Sequence, residues 1–234
     1  MKKTALTFLL LLLLYIGVLF YPNPLFSHSY VYNNYRVYSD RAIPKEIENI
    51  LDDVESRISK SELYDTKDKH HIFICNSSWR FMLFARSNAP GGIVNFIAPN
   101  VFIRESDIKK NKIIKEKPIY SPEIRTLAYY MAHEITHVMQ QKISQLMPLK
   151  SPKYIVEGYA DYIGKLPNFE YKQYLEDYKN HTKFMDIKSG MYNRYHLLIA
   201  HLMQKRGMSY KEVVEQGMSM EEVEHDIMLA LKKY

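Results

Sequence analysis

Three observations predict an α+β fold: short β-rich runs lie in the first half of the chain, apolar residues at helical spacing fill the second half, and 234 residues suffice for one sizeable core. The expected organisation is a single domain over residues 30–234. Its first part, 30–120, mixes strands and helices, and its second part, 121–234, is mostly helical.

Residues 1–29 are expected to stand outside that domain. Lys2 and Lys3 precede an apolar stretch from Ala5 to Tyr21, broken only by Gly17, the pattern of a membrane anchor or a signal segment. No A-x-A-like site follows, although Ser27 and Ser29 are small residues at which cleavage could occur. An uncleaved anchor is therefore expected, with the domain outside the cytoplasmic membrane and the lysines inside; a cleaved signal would leave it secreted. The formal net charge of +6 comes from scattered lysines and reads as solvated surface, and no motif points to nucleic acid. Cys75, the only cysteine, cannot form an intramolecular disulfide and reads as a small buried hydrophobe. Oligomeric state is not legible.

After a linker rich in Pro, Asn, Ser and Tyr, Tyr30 to Tyr38 reads as a first strand. Ile47, Ile50, Leu51, Val54 and Ile58 then recur at helical spacing between Pro44 and Lys60. His71 to Cys75 reads as a short strand, with His70 and His71 exposed or capping. Ser77 or Ser78 would cap a short helix whose Trp79, Phe81, Met82 and Phe84 are expected in the core. Pro90-Gly91-Gly92 ends that helix, and Ile93 to Ala98 and Val101 to Arg104 follow as two strands. Lys109 to Lys117 is a lysine-rich loop.

Ser121-Pro122 resembles a cap followed by proline at the first helical position, opening a helix expected to reach about Met147. Ile124, Leu127, Ala128, Met131, Ile135, Val138 and Met139 would form its apolar face. Ser151-Pro152 repeats the pattern before a second helix. Glu170 to Lys183 and Met191 to Arg206 read as further helices. Ser209 and Ser219 are each followed three residues later by glutamate, the pattern of a capping box.

The chemistry lies in His133-Glu134-Ile135-Thr136-His137. Histidines four apart on a helix are about 40° apart around the axis and one turn along it, so both imidazoles can reach one metal ion. Glu134 lies beside the first, where a carboxylate can take the proton of a metal-bound water. Coincidental histidines on an amphipathic helix would give the same five residues. The second segment, Glu157-Gly158-Tyr159-Ala160-Asp161, tips the balance. Glu157, twenty residues past His137, could be the third ligand, and Asp161, one turn on, could accept the free N–H of a ligating histidine.

With those residues in place, H-E-I-T-H followed by E-G-Y-A-D resembles the glutamate-zinc metallopeptidases (gluzincins), thermolysin-like in ligand order and similar to small peptidase MA-like proteins. The resemblance covers roughly Gly91 to the C-terminus. It implies a zincin-like architecture, a small twisted mixed sheet whose edge strand lines a cleft over the metal helix. It also implies one Zn2+ held by His133, His137 and Glu157, with Glu134 as catalytic base and Asp161 supporting a ligand. Such families often stabilise the oxyanion with a downstream Tyr or His; Tyr192 is the first candidate, His196 the second, and Tyr195 and His201 stand behind them. The implied activity is hydrolysis of a peptide or protein substrate. Related aminopeptidases carry a Gly-x-Met-Glu-Asn segment, and Gly91 to Asn95 lacks its Met-Glu, which favours cutting within a chain. The competing expectation is a membrane-tethered protein that binds zinc and hydrolyses nothing. Structural zinc sites are closed by four protein ligands, and no fourth is obvious here.

Overall fold

Alternating side chains divide a five-stranded sheet into two apolar faces, and different helices cover each. The computed structural model describes residues 2–85, 91–94, 98–114, 125–144, 147–165, 170–187 and 192–231. Helix α1 (Lys2–Phe20) leads through a 3-10 turn into a hairpin of β1 (His28–Tyr32) and β2 (Tyr35–Ser39). The single strand expected over Tyr30 to Tyr38 is thus two strands. Asn33, at φ 48°, adopts the left-handed backbone that asparagine tolerates and turns the chain back. Then come α2 (Ile47–Ile58), β3 (His70–Ile74), α3 (Ser78–Ala85), β4 (Gly92–Val94) and β5 (Asn100–Ile103), with a small ribbon of β6 (Ser106–Asp107) and β7 (Lys112–Ile113). The strand order is β1-β2-β3-β5-β4, with the two inner pairs parallel and the two outer pairs antiparallel. The architecture is α+β with a mixed sheet, as expected, and residues 95–97 of the expected Ile93 to Ala98 strand lie outside the described residues.

The helical part holds α4 (Leu127–Gln140), α5 (Met147–Lys150), α6 (Lys153–Lys165), α7 (Tyr171–Lys179), α8 (Asn193–Ala200), α9 (Tyr210–Gln216) and α10 (Met220–Leu231). The π-helical turn His201–Lys205 extends α8. Ser121-Pro122 falls outside the described residues; α4 is capped instead by Thr126, whose Oγ1 accepts from the Tyr129 amide at 3.1 Å. The helix expected to carry the metal ligands is also shorter than expected, ending at Gln140 rather than near Met147. Both serine–glutamate capping boxes form, at Ser209/Glu212 and Ser219/Glu222.

On one face of the sheet, Val37, Ile72, Ile74, Val101 and Ile103 join α2, α4 and α6 in the main core. His70 belongs to this side, buried at 4% exposure against the Tyr35 ring, so it is neither exposed nor a cap. The other face presents Tyr38, Phe73, Cys75 and Phe102. Phe81 and Phe84 of α3 cover it together with Phe26 and the end of α1, where Leu19 is buried and Tyr15 and Val18 pack alongside. The end of the apolar segment, expected outside the fold, is therefore part of it. Trp79 and Met82 are exposed rather than in the core, because an eight-residue helix lying on a sheet turns only one side inward. Cys75 is buried, and burial pushes its thiol pKa far up. No helix among the described residues is long and apolar enough to cross a membrane.

Helices α6 and α8 approach closely at Gly158, where a Cβ would stand 2.6 Å from the Tyr195 carbonyl oxygen. Alanine there improves helix propensity by about 1 kcal/mol, but a backbone oxygen cannot swing away as a side chain can, and overpacking costs about 1–3 kcal/mol. Gly158→Ala is expected to be net destabilising, read as a lower denaturant midpoint at unchanged m-value.

Candidate metal centre

Helix α4 is buried on nearly every side, so its polar residues need partners within the protein. Thr136 donates from Oγ1 to the Ala132 carbonyl in its own helix at 2.8 Å. Gln140 donates from Nε2 to the Val156 carbonyl (2.9 Å) and the Tyr210 hydroxyl (2.8 Å), binding α4 to α6 and α9. Its Oε1 lies 2.8 Å from His137 Nδ1. With a carbonyl oxygen as partner, Nδ1 carries the proton, and the Nε2 lone pair of His137 is left for a ligand.

That Nε2 lies 3.3 Å from His133 Nε2. Glu157 of α6 brings Oε2 to 3.4 Å from the His133 nitrogen and 3.6 Å from the His137 nitrogen. The three residues named from the sequence thus converge as a group that could hold a metal ion, with donor atoms all within 4.8 Å of one another. Burial disfavours charge on His137, yet the adjoining Glu157 carboxylate raises its pKa to about 9. Glu157 is also desolvated, but contacts with both histidines hold it far below the usual carboxylate range. The carboxylate and the two histidines thus stabilise one another's charge, as opposite charges in contact do.

Glu134 is 6% exposed, and burial raises its pKa against the lowering effect of the two histidines. Edge strand β4 passes directly over it: a Cβ on Gly92 would meet Glu134 Cγ at 2.8 Å and Ile103 Cδ1 at 2.9 Å. Tyr192, just before α8, stacks its ring on His133, with centroids 5.6 Å apart and planes within 13°. Burial and the negative charges of Glu157 and Glu134 push its phenol pKa far up, so it keeps its proton.

Two expected roles change. Asp161 does not meet a ligating histidine; its Oδ1 accepts from the Tyr129 hydroxyl (2.5 Å), and its Oδ2 meets His196 Nδ1 (3.1 Å) and Lys165 Nζ (2.8 Å). Lys165 lies one turn beyond Asp161 on α6 and draws the carboxylate along that helix. His196, the second candidate for the oxyanion donor, is correspondingly fixed on Asp161, between the Tyr162 and Tyr174 rings. His201 is held by Tyr171 and Asp226, and the Tyr195 ring lies behind that of Tyr192. Among the described residues, His133 Nδ1 is buried without a hydrogen-bond partner. The orienting residue the sequence reading missed is Gln140, and its signal was present: it is three residues past His137, on the same helix face. No family model, curated protein or solved structure matches the chain.

Because Gln140 fixes the ring of His137, Gln140→Leu is expected to weaken metal binding by about 10–100-fold, measured by competition with a chromogenic chelator. Gly92→Ala drives a methyl into Glu134 and Ile103 and is expected to cost about 1–3 kcal/mol of stability, read by thermal or denaturant unfolding.

Proposed function

We propose that the chain is a zinc-dependent peptide-bond hydrolase of the glutamate-zinc kind, with a zincin-like arrangement of edge strand and metal helix. The observation that carries this reading is the size of the donor triangle. Ligands about 2.0–2.1 Å from one tetrahedral zinc stand about 3.3–3.4 Å from each other. The separations among His133, His137 and Glu157 are 3.3, 3.4 and 3.6 Å. Two neutral nitrogens and one carboxylate also form a donor set that suits zinc and leaves a fourth position for the reaction.

Zinc held there would polarise the scissile carbonyl and make water nucleophilic near neutral pH. Glu134 accepts the proton of the attacking water and passes it to the leaving amine. Burial raises its basicity, and the two histidines act against that rise. Tyr192, protonated and stacked on His133, donates to the oxygen on which negative charge develops. Among the described residues strand β4 ends the sheet, so its outer edge can pair with an extended peptide above Glu134. Without the Met-Glu that would grip a substrate amine, an endopeptidase is the favoured form. The exposed apolar part of α1 supports attachment to a membrane surface.

The decisive comparison is zinc content and peptide cleavage for the wild type and Glu134→Ala. Zinc should remain at one per chain while cleavage falls by about 10²–10⁴-fold. A wild type that holds one tight zinc yet cleaves no member of a broad peptide library would remove the hydrolase reading. Tyr192→Phe should keep its zinc and lose about 10²–10³-fold in kcat, with KM little changed. Full turnover by the zinc-loaded variant would strip Tyr192 of this role.

A further inference from the structure

Every side chain from Thr4 to Leu14 is exposed, including Phe8 at 70% and Leu14 at 66%. An apolar surface this continuous marks a lipid or partner contact. The last turns of α1, however, are fastened to the domain. Leu19 is 3% exposed, Tyr15 donates its hydroxyl to the Leu83 carbonyl of α3 at 2.9 Å, and Asn100 Nδ2 donates to the Leu19 carbonyl at 3.2 Å. The end of α1 is therefore held against α3 and β5.

Length then sets the geometry. At 1.5 Å per residue the exposed part, Thr4 to Leu14, reaches about 16 Å, and all of α1 reaches about 28 Å, against a hydrocarbon core of about 30 Å. The helix is too short to enter lipid deeply while its docked end stays well clear of the surface. Any placement that buries Leu6 to Leu14 brings Tyr15 to Phe20 to the lipid boundary or beneath it, and α3 comes with them.

The outward face of α3 suits that position. Trp79 is 61% exposed and Met82, three residues on and so on the same side, is 43% exposed, where a helix facing water would carry charge. Tyr21, just past α1, is exposed as well. Tryptophan and tyrosine prefer the membrane–water boundary, and interfacial helices sink their apolar side about 5–10 Å into it.

We infer that α3 is a second membrane contact, with Trp79 and Met82 seated in the lipid boundary beside α1 so that the domain rests against the bilayer. This inference rests on the reading of α1 as a membrane segment. The occupant is lipid because Leu6 to Leu14 of α1 and Trp79 and Met82 of α3 are both exposed apolar surface on helices that meet at the Tyr15–Leu83 hydrogen bond; a partner protein would have to cover Leu6 to Leu14 as well.

Trp79 is the only tryptophan of the chain and so reports its own surroundings. The full chain is reconstituted into phosphatidylcholine–phosphatidylglycerol vesicles whose acyl chains carry bromine near the headgroup. The expected result is blue-shifted emission, several-fold quenching by the bromolipid and protection from iodide. A chain that floats with the vesicles, yet whose emission is quenched by iodide and unaffected by bromolipid, overturns the contact and leaves the α1 anchor standing. Shielding from both quenchers together with cross-linked dimers assigns the face to a second copy and overturns it too. A chain that stays behind on flotation overturns both the contact and the anchor.

Discussion

The dominant constraint in this structure is the removal of ionisable groups from water along one helix. Placing His133, Glu134 and His137 on a helix buried on nearly all sides costs several kcal/mol per uncompensated charge, so the surroundings must answer each group. Glu157 answers the two imidazoles, and the histidines in turn hold Glu157 ionised. Gln140 answers the far nitrogen of His137 and also ties three helices together. The positions of α6 and α9 follow from these requirements as much as from apolar packing.

A second polar layer lies behind the first. Asp161, fully buried, gathers Tyr129 from α4, Lys165 from its own helix and His196 from α8. Lys165 also meets Asn193, the residue that follows Tyr192, and Asn193 donates to the Phe184 carbonyl at 3.1 Å. The backbone that carries Tyr192 to His133 is thus held by a charged network rather than by apolar contacts alone. In a low-dielectric interior such a network is stiff when every member is paired, which is the property a stacked ring beside a ligand needs.

Much of this was legible in the sequence wherever a periodic signal fixes a direction. The apolar spacing from Ile47 to Ile58, the serine–glutamate boxes and the pairing of His133 with His137 all follow from repeats of three or four residues, whereas Glu157 comes from a second helix twenty residues on. What a helical repeat cannot give is the identity of the partner across a helix pair. Asp161 shares a face with Glu157, and nothing in their spacing says that Lys165 would claim that carboxylate. His196 follows Tyr192 by four residues, yet one stays behind Asp161 and the other reaches His133. The hairpin at Asn33 was lost because two tyrosine-rich strands joined by a two-residue turn look like one run. Trp79 and Met82 were misplaced because hydrophobicity alone does not say which side of a helix meets the sheet.

The docking of α1 against the sheet has a consequence for how the chain acquires its shape. Leu19 and Tyr15 are synthesised early, but the residues that receive them, Phe73, Leu83 and Asn100, come more than fifty positions later. The part of that face which α1 covers therefore cannot close until β3, α3 and β5 exist, although Phe26, Tyr38 and Phe84 already pack on Phe73 and Phe102. The contact is long-range, of the kind whose loop closure slows folding, and a chain severed between α1 and β1 would lose it altogether. The apolar helix in this sense waits for residues that lie well after it in the chain.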